Sequence, residues 1–147
     1  MKRCLGILGL SFLLVACGDD NASTNEESKG NVVATTGQIA DAVKVISGDH
    51  LAVTTLMGPG VDPHLYKATQ SDLTKLDNAE VIFYNGLHLE GQMQDIFNQM
   101  AEEKTVQAVA ENLDKNKLLE DEEDATLHDP HVWFDIDLWK EVVDVIG

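Results

Sequence analysis

Cysteine, basic side chains and long apolar runs are all scarce in this sequence. Two cysteines in 147 residues exclude a framework of several disulfides. Ten Lys and Arg stand against 26 Asp and Glu, a formal net charge of -16, so few cations are available to neutralise a nucleic acid backbone. The longest apolar run, residues 5–15, falls short of the roughly 20 residues that span a bilayer. A polytopic membrane protein is therefore excluded, and no nucleic acid partner is expected.

That apolar run has the features of a secretory signal. Lys2 and Arg3 precede it, and small residues follow it. The order Leu14-Val15-Ala16-Cys17 resembles the lipobox of bacterial lipoproteins, in which the cysteine is lipidated after cleavage. We predict a signal peptide over residues 1–16 and a lipid anchor on Cys17, which places the mature protein on the extracytoplasmic face of the cell membrane. An ordinary signal peptide cut nearby is the alternative.

The rest of the chain divides into a polar segment and one α/β domain. Residues 17–30 have almost nothing to bury and are predicted to be a flexible tether, with order beginning at Asn31. Short apolar strands then alternate with amphipathic helices, which predicts a four-stranded parallel sheet with helices on both faces. The predicted strands are 32–36, 51–56, 81–84 and 105–109, and the predicted helices are 39–46, 71–76, 92–101 and 136–146.

Two loops that follow predicted strands carry the same tripeptide, Asp62-Pro63-His64 and Asp129-Pro130-His131. Proline restricts the backbone, and the aspartate can accept a hydrogen bond from a nearby amide or imidazole. A single tripeptide of this kind could be a plain turn. Because loops at the carboxyl ends of parallel strands lie at one edge of the sheet, the pair predicts a metal site with His64 and His131 as ligands.

Four blocks of the sequence resemble the TroA-like family, the metal-binding lipoproteins of bacterial ABC importers for manganese, zinc and iron. The blocks are TTGQIADA at 35–42, MGPGVDPHLY at 57–66, YNGLHLE at 84–90 and DPHVWFD at 129–135. The resemblance implies a bilobed periplasmic-binding-protein-like fold in which His64 and His131 are two of four metal ligands. The third ligand, a His or Glu, and the fourth, an Asp or Glu, belong to the C-terminal lobe of that family.

The resemblance also divides the chain. Residues 31–135 are expected to be the N-terminal metal-binding lobe, and residues 136–147 the start of the helix that joins the two lobes. The sequence is therefore expected to be the N-terminal part of a longer protein.

The function that the resemblance implies is capture of a divalent transition metal and its delivery to an ABC transporter permease. Manganese is favoured over zinc, because an acidic run at 120–124 stands where zinc members often carry histidines. No catalytic residue and no organic cofactor are expected. The alternatives are a metal-dependent hydrolase, although the chain has no H-E-x-x-H motif, and a surface lipoprotein of the adhesin type.

Three carboxylates are candidates for residues that orient the metal-binding side chains without binding the metal themselves. Asp62 and Asp129 precede the two histidines within the tripeptides, and Glu90 follows the third predicted strand. Glu90 has a second interpretation, as an acid favoured at the start of a helix.

The remaining histidines and the aromatic residues beside His131 are expected to have other roles. His88 is predicted at the rim of the ligand edge, His128 in solvent, and His50 exposed at the opposite end of the sheet. Trp133 and Phe134 are expected to pack the second tripeptide against the sheet.

Overall fold

The structure, a computed structural model, describes residues 29–122 and 124–147. The predicted signal peptide, Cys17 and the tether up to residue 28 lie outside the described residues, as does Glu123.

A four-stranded parallel sheet forms the centre of the described chain. Its strand order is β2-β1-β3-β4, so β2 and β4 are the two edge strands. β1 pairs in parallel with β2 over its whole length and with β3 from Val32 to Ala34. The predicted fold class is confirmed, and the first strand begins one residue before Asn31. The strands are β1 Gly30–Ala34, β2 Leu51–Thr55, β3 Val81–Tyr84 and β4 Thr105–Ala108.

Helices connect the strands and follow the last one. The first ends at Ser47 and is capped by Gly48, whose φ of 54° is readily adopted only by a residue without Cβ. The fourth begins at the N-cap Asp135, whose carboxylate accepts the amides of Asp137 and Leu138. Within the described part of the chain, no helix is long and apolar enough to cross a membrane. The α-helices are α1 Gly37–Ser47, α2 Gln70–Asp77, α3 Gln94–Met100 and α4 Ile136–Ile146, and short 3-10 turns cover Gly91–Met93, Lys115–Lys117 and Val132–Phe134.

Two apolar cores lie on opposite faces of the sheet. Successive side chains of a strand point to opposite faces, and β1 sends Val32 and Ala34 into one core and Val33 into the other. α1 and α4 cover the first face, while α2 and α3 cover the second. Helices on both faces were predicted, and this too is confirmed. Helices therefore cover both sides of the sheet, although Ala52 and Thr54 of the edge strand β2 stay exposed, and the carboxyl edge is left for function.

Two expectations about side chains were wrong. Phe134 is 82% exposed and does not pack against the sheet, whereas the half-buried Trp133 lies with its ring 5.2 Å from that of His131. His128 is half-buried because the chain folds back on itself there, with a bridge between Glu120 and His128. His50 and His88 are exposed, as predicted.

Candidate metal centre

The two Asp-Pro-His loops start from opposite edges of the sheet and meet above its carboxyl end. His64 lies in the loop after β2, and His131 lies in the long segment after β4. Their Nε2 atoms are 3.4 Å apart, and the ring centroids are 5.3 Å apart at an interplanar angle of 49°. The fold thus brings together two imidazoles that are 67 residues apart in the chain.

The separation of the two Nε2 atoms suits two ligands of one ion. Nitrogen ligands each about 2.1 Å from a tetrahedral metal lie about 3.4 Å from one another. The observed distance of 3.4 Å matches that geometry without any movement of the loops.

His131 is oriented by the aspartate of its own tripeptide. One carboxylate oxygen of Asp129 accepts the His131 amide at 2.9 Å and ring Nδ1 at 2.6 Å. Partial burial raises the pKa of Asp129, but these two hydrogen bonds outweigh it and hold the pKa below its usual value. The carboxylate is therefore ionised near neutral pH, and its position favours the tautomer of His131 with the proton on Nδ1, which leaves Nε2 as the nitrogen that can bind a metal beside His64. This is the carboxylate–histidine arrangement found beside many protein-bound metals.

His64 is held differently. The Asp62 carboxylate accepts the His64 amide at 2.9 Å, and in the described part of the chain no hydrogen bond joins Asp62 to the His64 ring. His64 is exposed, whereas His131 is half-buried. The same tripeptide therefore produces two different environments for its histidine.

Tyr66 anchors the His64 loop to the start of α2. Its hydroxyl donates to Asp72 at 2.6 Å, and Asp72 also accepts the amide and hydroxyl of Thr69 and the ammonium of Lys75. Burial raises the pKa of Asp72, but these bonds outweigh it and hold the pKa well below its usual range. Burial and the bond to Asp72 raise the pKa of Tyr66 to about 12. Thr69 and Asp72 form a reciprocal capping box, a pattern that the sequence Thr-Gln-Ser-Asp could have indicated.

Glu90 contacts neither imidazole. It is only 3% exposed and accepts the Thr35 hydroxyl at 2.6 Å and the amides of Asn85 and Gly86 at 2.9 and 3.2 Å. Burial raises the pKa of Glu90, and the three donors partly offset that effect. Its link to the histidines is indirect, because Asn85 donates to the Pro130 carbonyl at 3.0 Å. Asn85 was missed by sequence reasoning.

An open, acidic cavity of about 550 Å³ adjoins the two histidines. Four carboxylates line it, and they attract a cation before any ligand bond forms. Over residues 29–122 and 124–147, no group of three or more His, Cys, Asp or Glu is placed to hold a metal together. The lining residues are Asp62, His64, Leu65, Asp121, Glu122, Asp129 and His131.

The chain belongs to the family described as "ZnuA: Zinc-uptake complex component A periplasmic", which matches residues 32–147. It is 52% identical over 140 residues to the manganese-binding lipoprotein MntA of Bacillus subtilis (strain 168), covering 95% of this chain and 45% of MntA. It is 36% identical over 143 residues to the iron ABC transporter substrate-binding lipoprotein MtsA of Streptococcus pyogenes serotype M1, covering 93% of this chain and 46% of MtsA.

Among solved structures, the chain is similar to the periplasmic zinc binding protein TroA from Treponema pallidum. The TM-score is 0.76 at 47% identity, covering 80% of this chain and 42% of TroA. The predicted family is confirmed, and the chain spans about half the length of the curated relatives that it matches.

Proposed function

We propose that this chain is the N-terminal lobe of an extracytoplasmic solute-binding lipoprotein that captures a divalent transition metal and delivers it to an ABC transporter permease. The observation that supports this function most directly is the 3.4 Å separation of His64 Nε2 and His131 Nε2. The carboxylate of Asp129 on the far side of the His131 ring supports it further. The relatives are named for metal binding or metal transport, which favours binding over catalysis.

Manganese is the proposed cargo, with zinc next. Imidazoles alone follow the general affinity order that places zinc above manganese, so selection depends on oxygen ligands and on metal supply. The acidic lining of the cavity and the name of the MntA relative favour manganese.

The proposed location rests on Cys17 and on the relatives named as lipoproteins. We propose that residues 1–16 are removed, that residues 17–30 tether the domain to the membrane, and that residues 136–147 begin the helix between two lobes. Cys17→Ser is expected to release the protein into the medium or leave it unprocessed, and fractionation with mass spectrometry measures this. An unmodified mature start elsewhere contradicts the anchor.

Calorimetric titration with MnCl₂ and ZnCl₂ tests the metal site on a soluble chain that begins at Gly18. His64→Ala and His131→Ala are each expected to weaken binding at least about tenfold, because each removes one of two neighbouring ligands. His50→Ala is the matched control, since His50 is exposed where β2 begins, at the opposite end of the sheet. Equal affinity in all three variants contradicts the proposal.

A further inference from the structure

The loop that follows β3 has an unfavourable backbone conformation. Gly86, Leu87 and His88 have φ values of 83°, 51° and 63°, so three consecutive residues lie in the left-handed region. For residues with a Cβ, such as Leu87 and His88, this conformation is costly and persists only where surrounding contacts impose it. The contacts around this loop must therefore offset the cost of its backbone conformation.

Two carboxylates hold this loop in place, the buried Glu90 and the exposed Glu111. Glu90 binds the amides of Asn85 and Gly86, and it is itself tied to the end of β1 through the Thr35 hydroxyl. The amide of Leu87 donates to Glu111 at 3.1 Å, which ties the loop to the segment after β4. The loop is thus attached to the segments that directly follow β1 and β4, the two neighbours of β3 in the sheet.

The result is a rigid placement of the Asn85 side chain. Asn85 is fully buried at the carboxyl end of β3, between the two edge strands from which the histidine loops start. Its Nδ2 donates to the carbonyl of Gly86 at 3.1 Å and to that of Pro130 at 3.0 Å, across 45 residues of sequence.

The bond to Pro130 acts directly on His131. The Pro130 carbonyl and the His131 amide belong to one planar peptide unit. The amide end of that unit donates to Asp129, and the carbonyl end accepts from Asn85 and from the Val132 amide. Holding both ends sets the orientation of the peptide plane, and with it the direction in which the His131 side chain leaves the backbone.

We infer that Asn85 is a positioning residue for His131, held in place by the strained loop and by Glu90, and that it keeps the His131 ring where it can share an ion with His64. The inference rests on the proposed metal site and adds a residue that touches neither the ion nor an imidazole.

The test compares two substitutions of Asn85 with a control of equal stability. Asn85→Asp keeps the shape but removes the donor to Pro130, and Asn85→Ser is too short to reach it. The control is a substitution of Ile82, which lies in β3 and is buried in the core that α2 and α3 cover. Either Ile82→Val or Ile82→Ala is used, whichever matches the melting temperature of the Asn85 variants. The readouts are the dissociation constant for Zn²⁺ and the ¹⁵N spectrum of the His131 ring without metal.

We expect both Asn85 variants to bind Zn²⁺ about tenfold more weakly, with shifted or broadened His131 ring signals, and the control to stay within about twofold. Affinity and spectrum unchanged in the Asn85 variants overturn the inference. Equal weakening in the stability-matched control overturns it as well, because the role is then merely structural. If the unaltered chain binds no Zn²⁺ through its histidines, the proposed function fails, and the metal-free spectrum still decides whether Asn85 positions His131.

Discussion

The two Asp-Pro-His loops have identical tripeptides and different supports. In the second loop the aspartate binds the imidazole of His131, and a buried asparagine binds the proline carbonyl. In the first, the aspartate binds only the backbone of His64, and the anchor is Tyr66, two residues further along the chain. Local sequence thus determines the turn, whereas tertiary contacts determine how firmly the histidine is oriented. His131 is preorganised, and His64 has more freedom to adjust.

The largest expected effect comes from breaking the anchor of the first loop. Asp72→Ala removes the acceptor for Tyr66, Thr69 and Lys75, and leaves a tyrosine hydroxyl without its partner. We expect the free energy of unfolding in urea to fall by about 2–4 kcal/mol. Asp77→Ala, at an exposed position of the same helix, serves as the control and is expected to change it by less than about 0.5 kcal/mol. Equal losses in both variants contradict the anchoring role.

The second largest expected effect is a difference in metal affinity between substitutions of Asp129 and Asp62. Asp129→Asn removes the negative charge that orients the His131 ring, so we expect Zn²⁺ affinity to fall about 10- to 100-fold. Asp62→Asn leaves the His64 ring contacts unchanged and is expected to cost less than about threefold. Calorimetry on both variants measures the difference. Similar losses in the two would mean that the loops are functionally equivalent despite their different contacts.

The smallest effect is the pH dependence of the first anchor. The pKa of Asp72 is held below its ordinary value of 3.8, so the carboxylate stabilises the fold above that pH and the contribution is lost as the pH falls below it. Between pH 6 and pH 3 we expect the stability advantage over Asp72→Ala to shrink by about 1 kcal/mol. Urea unfolding of both proteins at the two pH values measures this. An advantage that grows on acidification is the opposite result.

The sequence was informative wherever a pattern is local. Hydrophobic periodicity predicted the four strands and four α-helices to within a few residues, and the repeated tripeptide pointed to His64 and His131. The family resemblance agreed with both. These features depend on residues that are close together in the sequence. The residue types of a turn and the spacing of apolar residues in a strand or helix can therefore be read without knowing the tertiary structure.

The supports of the site were not predictable in the same way. Asn85 meets Pro130 across 45 residues, and Thr35 meets Glu90 across 55. No periodicity encodes such pairs, because they depend on the strand order that places β3 between β1 and β4. Phe134 was expected to pack the second tripeptide against the sheet, yet it is exposed, and Val132 is the buried residue of the same short turn.

The start of the two histidine loops at opposite edges of the sheet has a mechanical consequence. An ion held by both imidazoles would act as a cross-link that closes 67 residues of chain and spans all four strands. A cross-link of that length restricts the unfolded chain far more than the folded one. A bound metal ion would therefore be a reversible cross-link that stabilises the folded protein. The increase in resistance to heat or to proteolysis would then measure the fraction of the protein that has metal bound.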